Sequence, residues 1–254
     1  MTSRMNRRTF LQGVSVASLT SMLPAAAMAG PVPLAAPSKA PSTPSGGAPK
    51  FNGGRSQVNL NFFADVTGAP LSLPLSFPLV SGTTTTMAPN VSQSLAAGAT
   101  LLVQSMAPAT DPAPTVGSAQ LTTNGHVGGF VIFHYQNGQE AVVPLESRNA
   151  SGYIIAFDNT SKTATGIALN TVSTQAVNVP VIVRNDAGVQ IDSDILHLAA
   201  NGHMSFTLAA DKYPGTADIR GTIEFDTPAG AQIGALGIRI PLAHTFTTLP
   251  PLGK

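Results

Sequence analysis

Glu140 and Glu146 stand six positions apart, on either side of Ala141-Val142-Val143-Pro144-Leu145. Paired carboxylates can cleave glycosidic bonds when their carboxyl groups lie about 5–10 Å apart. An extended segment between them separates them by roughly 20 Å, so they read as two solvated strand ends. Five histidines are present: His126, His134, His197, His203 and His244. A metal site needs converging donors. Only His197 and His203 are close, flanking Leu198-Ala199-Ala200-Asn201-Gly202, with Asp192 and Asp194 nearby. Strand alternation places both histidines on an outer face. A weak divalent-cation site and plain loop polarity are both open there, and no metal ligand is assigned. The chain has no cysteine, which removes thiolate sites, disulfides and a lipid-anchored cysteine. The glycines of Gly125–Gly129 sit in a strand-rich stretch with no helix behind them, so they do not form a phosphate cradle. A G-x-S-x-G elbow is missing as well. No acid, base or nucleophile assembles, so the expectation is a protein that is not an enzyme and carries no cofactor.

Aromatic side chains offer the other chemistry. Phe130, Phe133 and Tyr135 share one segment, Gly128-Gly129-Phe130-Val131-Ile132-Phe133-His134-Tyr135. Val131, Phe133 and Tyr135 fall on one face of a strand; Phe130, Ile132 and His134 fall on the other. A strand that is apolar on both sides needs cover on both. One face belongs to a core. The second is a contact between domains or a surface for another partner. Tyr135, Phe133 and Phe130 are therefore the candidate binding residues. The absence of tryptophan removes the usual stacking platform for sugars.

These residues must be positioned by β-structure. Val179, Val181 and Val183 point one way, and Asn178, Pro180 and Arg184 the other. Ile223 and Phe225 alternate with Glu224 and Asp226. Met204, Phe206 and Leu208 form an inner face, and Leu236, Ile238 and Ile240 a further one, with Arg239 outside. Asn185–Gly188 and Gln136–Gly138 read as hairpin turns, because Asn and Gly accept positive φ at little cost. Asp158-Asn159-Thr160 reads as an Asx-type turn. Helical character is confined to a short turn at Ala209–Tyr213.

The N-terminus reads differently. Arg4, Arg7 and Arg8 precede a mildly apolar run from Val14 to Leu23, then Ala27-Met28-Ala29. This is the pattern of an export signal cleaved after Ala29, and the run is too short to span a bilayer. Thr9-Phe10-Leu11 after the arginine pair points to the twin-arginine route. Gln12, where lysine is more usual, keeps the general secretory route open. Residues 30–54 carry a proline every few positions among Ser, Ala and Gly, the composition of a disordered linker. The whole chain has 13 Lys+Arg against 12 Asp+Glu. Without the three signal arginines the balance is −2. A nearly neutral chain has no electrostatic footprint for nucleic acid or anionic lipid. No later segment is long and apolar enough to anchor in a membrane.

An internal repeat organises the rest. Gly117–Thr123 matches Gly221–Thr227, and Val127–Ile132 matches Ile233–Ile238. Leu95–Val103 matches Leu198–Phe206, and Ala64–Leu71 matches Arg184–Ile191. The order is the same and the offsets lie between 103 and 120 residues. An insertion at 72–93 in the first copy accounts for the unequal spacing. A period of about one hundred residues fits a whole β-sandwich. The expected organisation is a signal peptide (1–29), a linker (30–54) and two tandem sandwiches (55–149 and 150–254). The linker offers no strands to the first sandwich, so that sandwich is expected to borrow Tyr153–Phe157 from the junction.

The stretches "FDNTSKTATGIALN", "VPVIVRNDAG", "LAANGHMSF" and "GTIEFDTPAGAQIGALGIRI", with the closing "FTTLP", resemble the tandem Ig-like β-sandwich modules of secreted bacterial proteins. The resemblance covers about 57–252, and the second copy is nearer the pattern. It implies an all-β fold of two tandem Ig-like antiparallel sandwiches. It brings no assigned activity and no site residue, because its motifs are turn glycines and inner-face apolar residues. The expected function is a non-catalytic structural, adhesive or protein-binding component of the cell envelope, periplasmic or at the cell surface. The alternative is an extracellular polysaccharide-binding module. An envelope protein or a polysaccharide is the expected partner. If the twin-arginine route is used, Arg7→Lys with Arg8→Lys blocks export, read as loss of the processed chain from periplasmic fractions. Undiminished secretion of the double variant would assign the general route.

Overall fold

A computed structural model describes residues 32–35, 55–78, 85–106, 116–125, 127–134, 140–241 and 247–254. The expected signal peptide, most of the expected linker and the Gln136–Gly138 turn lie outside the described residues. The chain is all-β, and every strand pairing among the described residues is antiparallel. Helical backbone is limited there to one π-turn at Leu208–Lys212 and one 3-10 turn at Pro214–Thr216.

Four sheets are formed among the described residues. In the first half of the chain, β2 (Ser56–Ala64) lies between β5 (Asn90–Leu95) and β7 (Gly117–Thr123). A second sheet contains β1 (Val32–Ala35), β3 (Leu73–Ser76), β4 (Thr86–Ala88), β6 (Thr100–Ser105), β8 (Gly128–His134) and β9 (Glu140–Pro144). Its order is β4-β3-β6-β1-β8-β9. In the second half, β10 (Gly152–Asp158), β12 (Val177–Asn185), β13 (Gln190–Leu198), β15 (Arg220–Asp226) and β18 (Leu252–Gly253) run β13-β12-β15-β10-β18. The fourth sheet combines β11 (Ala164–Thr171), β14 (His203–Thr207), β16 (Ile233–Ile240) and β17 (Thr247–Leu249) in the order β14-β11-β16-β17.

The alternation expected for the second half is present. Val179, Val181, Val183, Ile223 and Phe225 are buried together with Tyr153, Ile155 and Phe157. Hiding each of these side chains contributes about 1.5–3 kcal/mol. The Asn185–Gly188 hairpin joins β12 to β13, with Gly188 at φ +76°. Asp158 Oδ1 accepts from the Thr160 amide at 3.0 Å, closing the expected Asx turn.

β11 and β16 depart from simple alternation, because both of their faces are buried. Ile167, Leu169, Ile233 and Ala235 face the core of the second half. Ala168, Leu236 and Ile238 belong instead to a cluster with Val131, Phe133, Val143 and Leu60 of the first half. The inner face expected at Leu236 and Ile238 is therefore turned toward the first half. Polar contacts reinforce this junction. Gln120 Nε2 donates to Thr171 O and Asn201 Oδ1, both at 3.2 Å. Gly68, at φ +64°, approaches Ala200 so closely that a Cβ would lie 1.8 Å from its carbonyl oxygen.

Two expectations about the first half are corrected. Tyr153–Phe157 is not borrowed by it. β10 pairs along its whole length with β15, and its side chains at Tyr153, Ile155 and Phe157 fill the second core. The expected linker is not strandless either. Val32–Ala35 inserts between β6 and β8, because two antiparallel neighbours satisfy its backbone groups whatever the composition around it.

Phe225 is fully buried at the centre of the second core. Phe225→Ala should lower stability by about 3–5 kcal/mol, read from the urea midpoint. A loss below about 1 kcal/mol would mean that the core collapses around the gap and does not depend on that ring.

Candidate interaction surface

β8 and β9 form a two-stranded edge whose faces differ. Val131 and Phe133 enter the first core, and Phe133 is 2% exposed. On the opposite face Phe130 pairs with Pro144, and Ile132 with Val142. Phe130 is 37% exposed and Val142 50%. Two of the three aromatic residues picked out in the sequence, Phe130 and Phe133, are thus separated. Phe130 is at the surface. Phe133 is interior and cannot touch a ligand, because the Val131/Phe133 face belongs to the buried cluster that also holds Ala168, Leu236 and Ile238. Tyr135 lies outside the described residues.

β9 leads directly into Leu145–Arg148, which turns past Pro250 and Pro251 to wall a pocket of about 280 Å³. Val143, Pro144 and Leu236 supply its apolar floor. Glu146 and Arg148 sit at its polar end. Arg148 Nε donates to both carboxylate oxygens at 2.9 and 3.0 Å, and its backbone N–H donates to Oε1 at 2.7 Å. Arg148 Nη1 reaches Pro251 O at 2.8 Å, and its guanidinium lies 5.5 Å from the centre of the Tyr153 ring. Burial pushes the Glu146 carboxyl up, but the hydrogen bonds and charge of Arg148 outweigh it and hold the group below its ordinary value. Burial, with the Glu146 charge beside it, pushes the Tyr153 hydroxyl up. Glu146 is consequently an ionised carboxylate whose acceptor positions are engaged, the opposite of a poised general acid.

The remaining sequence candidates are dispersed. Glu140 begins β9 while Glu146 lies beyond its end. His197 is exposed on β13 and meets Asn178 Oδ1 at 2.6 Å. His203 was expected on an outer face but is 1% exposed, with Nδ1 2.6 Å from Asp65 Oδ1. Alternation does point it away from its own core; the first half then covers it. The two histidines stand on different sheets, and among the described residues no group of three or more His, Cys, Asp or Glu gathers. His126 and His244 lie outside the described residues.

A second polar cluster stands on the outer face of the β12–β15–β10 sheet. Glu224 pairs with Arg184 and Lys254, and Lys254 Nζ also meets Asp226 at 2.8 Å. The Lys254 hydrogen bond, then that of Arg184, holds the Glu224 carboxyl below its ordinary range against the opposing effect of burial. This cluster ties the last residue of the sequence to β15 and leaves no unpaired acid or base to react.

Sequence reasoning found Phe130 but missed Val142, Pro144 and the pocket. The alternation Glu140, Val142, Pro144 was available, and it places two apolar residues in the phase of an exposed glutamate. The pocket was not available, because Arg148 and Pro251 are brought together only by the packing of β9 beside β17. No family model matches this chain, and neither a curated protein nor a solved structure shows significant similarity to it.

Glu146 and Glu224 both have an ordinary value of 4.5 and are held below it in the folded chain. Each contributes stability that is fully present above the unfolded value and is lost as pH falls through the depressed one. Glu224→Gln should lower stability at neutral pH and flatten the stability curve below about pH 4.5. A variant curve running parallel to the parent's down to about pH 3 would show that the cluster does not contribute to acid sensitivity.

Proposed function

We propose that this chain is a non-catalytic, exported protein-binding component of the cell envelope. It is built as two tandem Ig-like sandwiches, and it holds an extended apolar segment of another protein against β8 and β9. The observation that carries this reading is the exposed face of Phe130, Ile132, Val142 and Pro144, continuous at Pro144 with the pocket. Exposed apolar surface of this kind marks interaction sites. The pocket supplies a recess for one anchoring side chain, and the half-exposed Arg148 guanidinium, held by Glu146, gives its rim a charged donor.

The tandem arrangement is supported by strand order. β14-β11-β16-β17 in the second half corresponds to β6-β1-β8-β9 in the first, and β13-β12-β15 corresponds to β5-β2-β7. The sequence matches fall on these same partners: β7 with β15, β8 with β16, and β6 with β14. β3 and β4 lie within the expected insertion at 72–93, which also takes in the first four residues of β5.

The polysaccharide reading is less well supported. Sugar platforms rely on exposed rings, and Phe130 is the one aromatic among the large apolar side chains exposed in the described residues. Its neighbours are aliphatic.

The test is capture of envelope proteins by the exported chain, compared with Phe130→Ala and Val142→Asp. Each variant should weaken binding about 10-fold or more, the range of a central hot spot, while leaving the melting temperature within a few degrees. A glycan array should stay blank. A glycan signal abolished by Phe130→Ala would replace this reading with the polysaccharide one.

A further inference from the structure

We propose that the cleft between β6 and β8 is a strand-acceptor site that takes Val32–Ala35 from a second copy of this chain, so that copies are linked by strand exchange. The argument begins with a comparison inside the molecule. β1 holds the position in its sheet that β11 holds in the other: β6 and β8 flank β1 as β14 and β16 flank β11. Both inserted strands are antiparallel to both neighbours.

Their attachment differs. β11 follows β10 after residues 159–163 and leads into β12 through residues 172–176. It meets β16 from Ala164 to Thr171 and β14 from Gly166 to Asn170. β1 is separated from β2 by residues 36–55. It meets β6 from Val32 to Ala35 and β8 only at Leu34 and Ala35. A central position is thus filled by a short strand on a long connection. A span of that length reaches about 65–70 Å when extended, enough to enter a neighbouring molecule.

An identical segment from a second copy makes the same backbone pairings with β6 and β8, so exchange loses no contact. The opposing factor is concentration. A connection of this length holds its own strand near the cleft at an effective concentration on the order of mM. Exchange therefore stays minor in dilute solution and rises as the protein approaches that concentration. Whether the resulting links close into pairs or run on is set by symmetry.

The cysteine-free chain permits a direct test. Leu34 and Leu101 are register partners, as are Ala35 and Gly128. Register partners lie within the Cα separation that a disulfide needs. The exported chain carrying Leu34→Cys and Leu101→Cys together should form a crosslink within one chain when oxidised in dilute solution. Leu34→Cys and a mass-tagged Leu101→Cys, mixed and then oxidised, should give a mixed dimer whose yield grows at least several-fold from about 10 μM to about 500 μM, as expected for competition with a tethered strand. Ala35→Cys with Gly128→Cys repeats both arms without altering a core leucine. A crosslink within the chain but no mixed dimer at any concentration would overturn exchange. Absence of both crosslinks in both pairs would remove β1 from the cleft and overturn the site itself.

Discussion

The structure depends on two paired strands, β11 and β16, that are buried on both faces. Along β11 and β16 the odd-numbered residues Ile167, Leu169, Ile233 and Ala235 serve one core, and the even-numbered Ala168, Leu236 and Ile238 serve the other. Alternation along a strand normally divides core from solvent. Here it divides core from core, so the same backbone is a wall of both compartments. The small side chains follow from that position. Ala168, Ala235 and Gly237 let neighbouring layers approach, and a Cβ on Gly237 would come within 2.7 Å of Ile155 Cγ2. The polar links across the junction, from Gln120 to Asn201 and from Asp65 to His203, then cover the open end of that shared layer.

The shared layer also explains which parts of the fold were legible in the sequence. Strands with one wet face declare themselves. Val179–Val183 alternates cleanly, and the structure buries the side chains that alternation selects; Ile223 and Phe225 are buried as selected, while Glu224 between them is buried as well, under its ion pairs with Arg184 and Lys254. Ala164–Thr171 does not alternate, because both sides are covered, and its role as a central strand could not be read from periodicity. His203 illustrates the same limit. Its direction relative to its own core was readable; the first half lying against it was not, since Asp65 is 138 positions away. The borrowed strand was misjudged for a physical reason. Composition reports whether a segment can order itself, whereas Val32–Ala35 is ordered by the two edges it lies between.

The candidate surface follows the same division. Phe130 could be singled out because a strand that is apolar on both faces requires two covers, and the described residues supply only one. Which face stays open depends on where the shared layer packs. Val131 and Phe133 join the buried cluster that also holds Ala168, Leu236 and Ile238, and Phe130, Ile132, Val142 and Pro144 point to the other side. The pocket arises at the same boundary, where β9 runs on toward Pro250 and Pro251 beside β17. Its ion pair is local in sequence but is held by a distant carbonyl, at Pro251.

The charged side chains act mainly as fasteners. Glu146 is spent on Arg148, Glu224 on Arg184 and Lys254, and Asp194 on Lys212. Each carboxylate is held in its ionised form, the form an ion pair needs and a general acid does not. With so few charges in the chain, tying them into pairs leaves aliphatic and aromatic edges as the main feature that distinguishes one surface from another. On the proposed reading, recognition rests on shape and on the backbone groups of the strands. Those are the terms in which sheet edges and apolar faces bind extended polypeptide, and they match a fold whose two halves already hold each other in the same way.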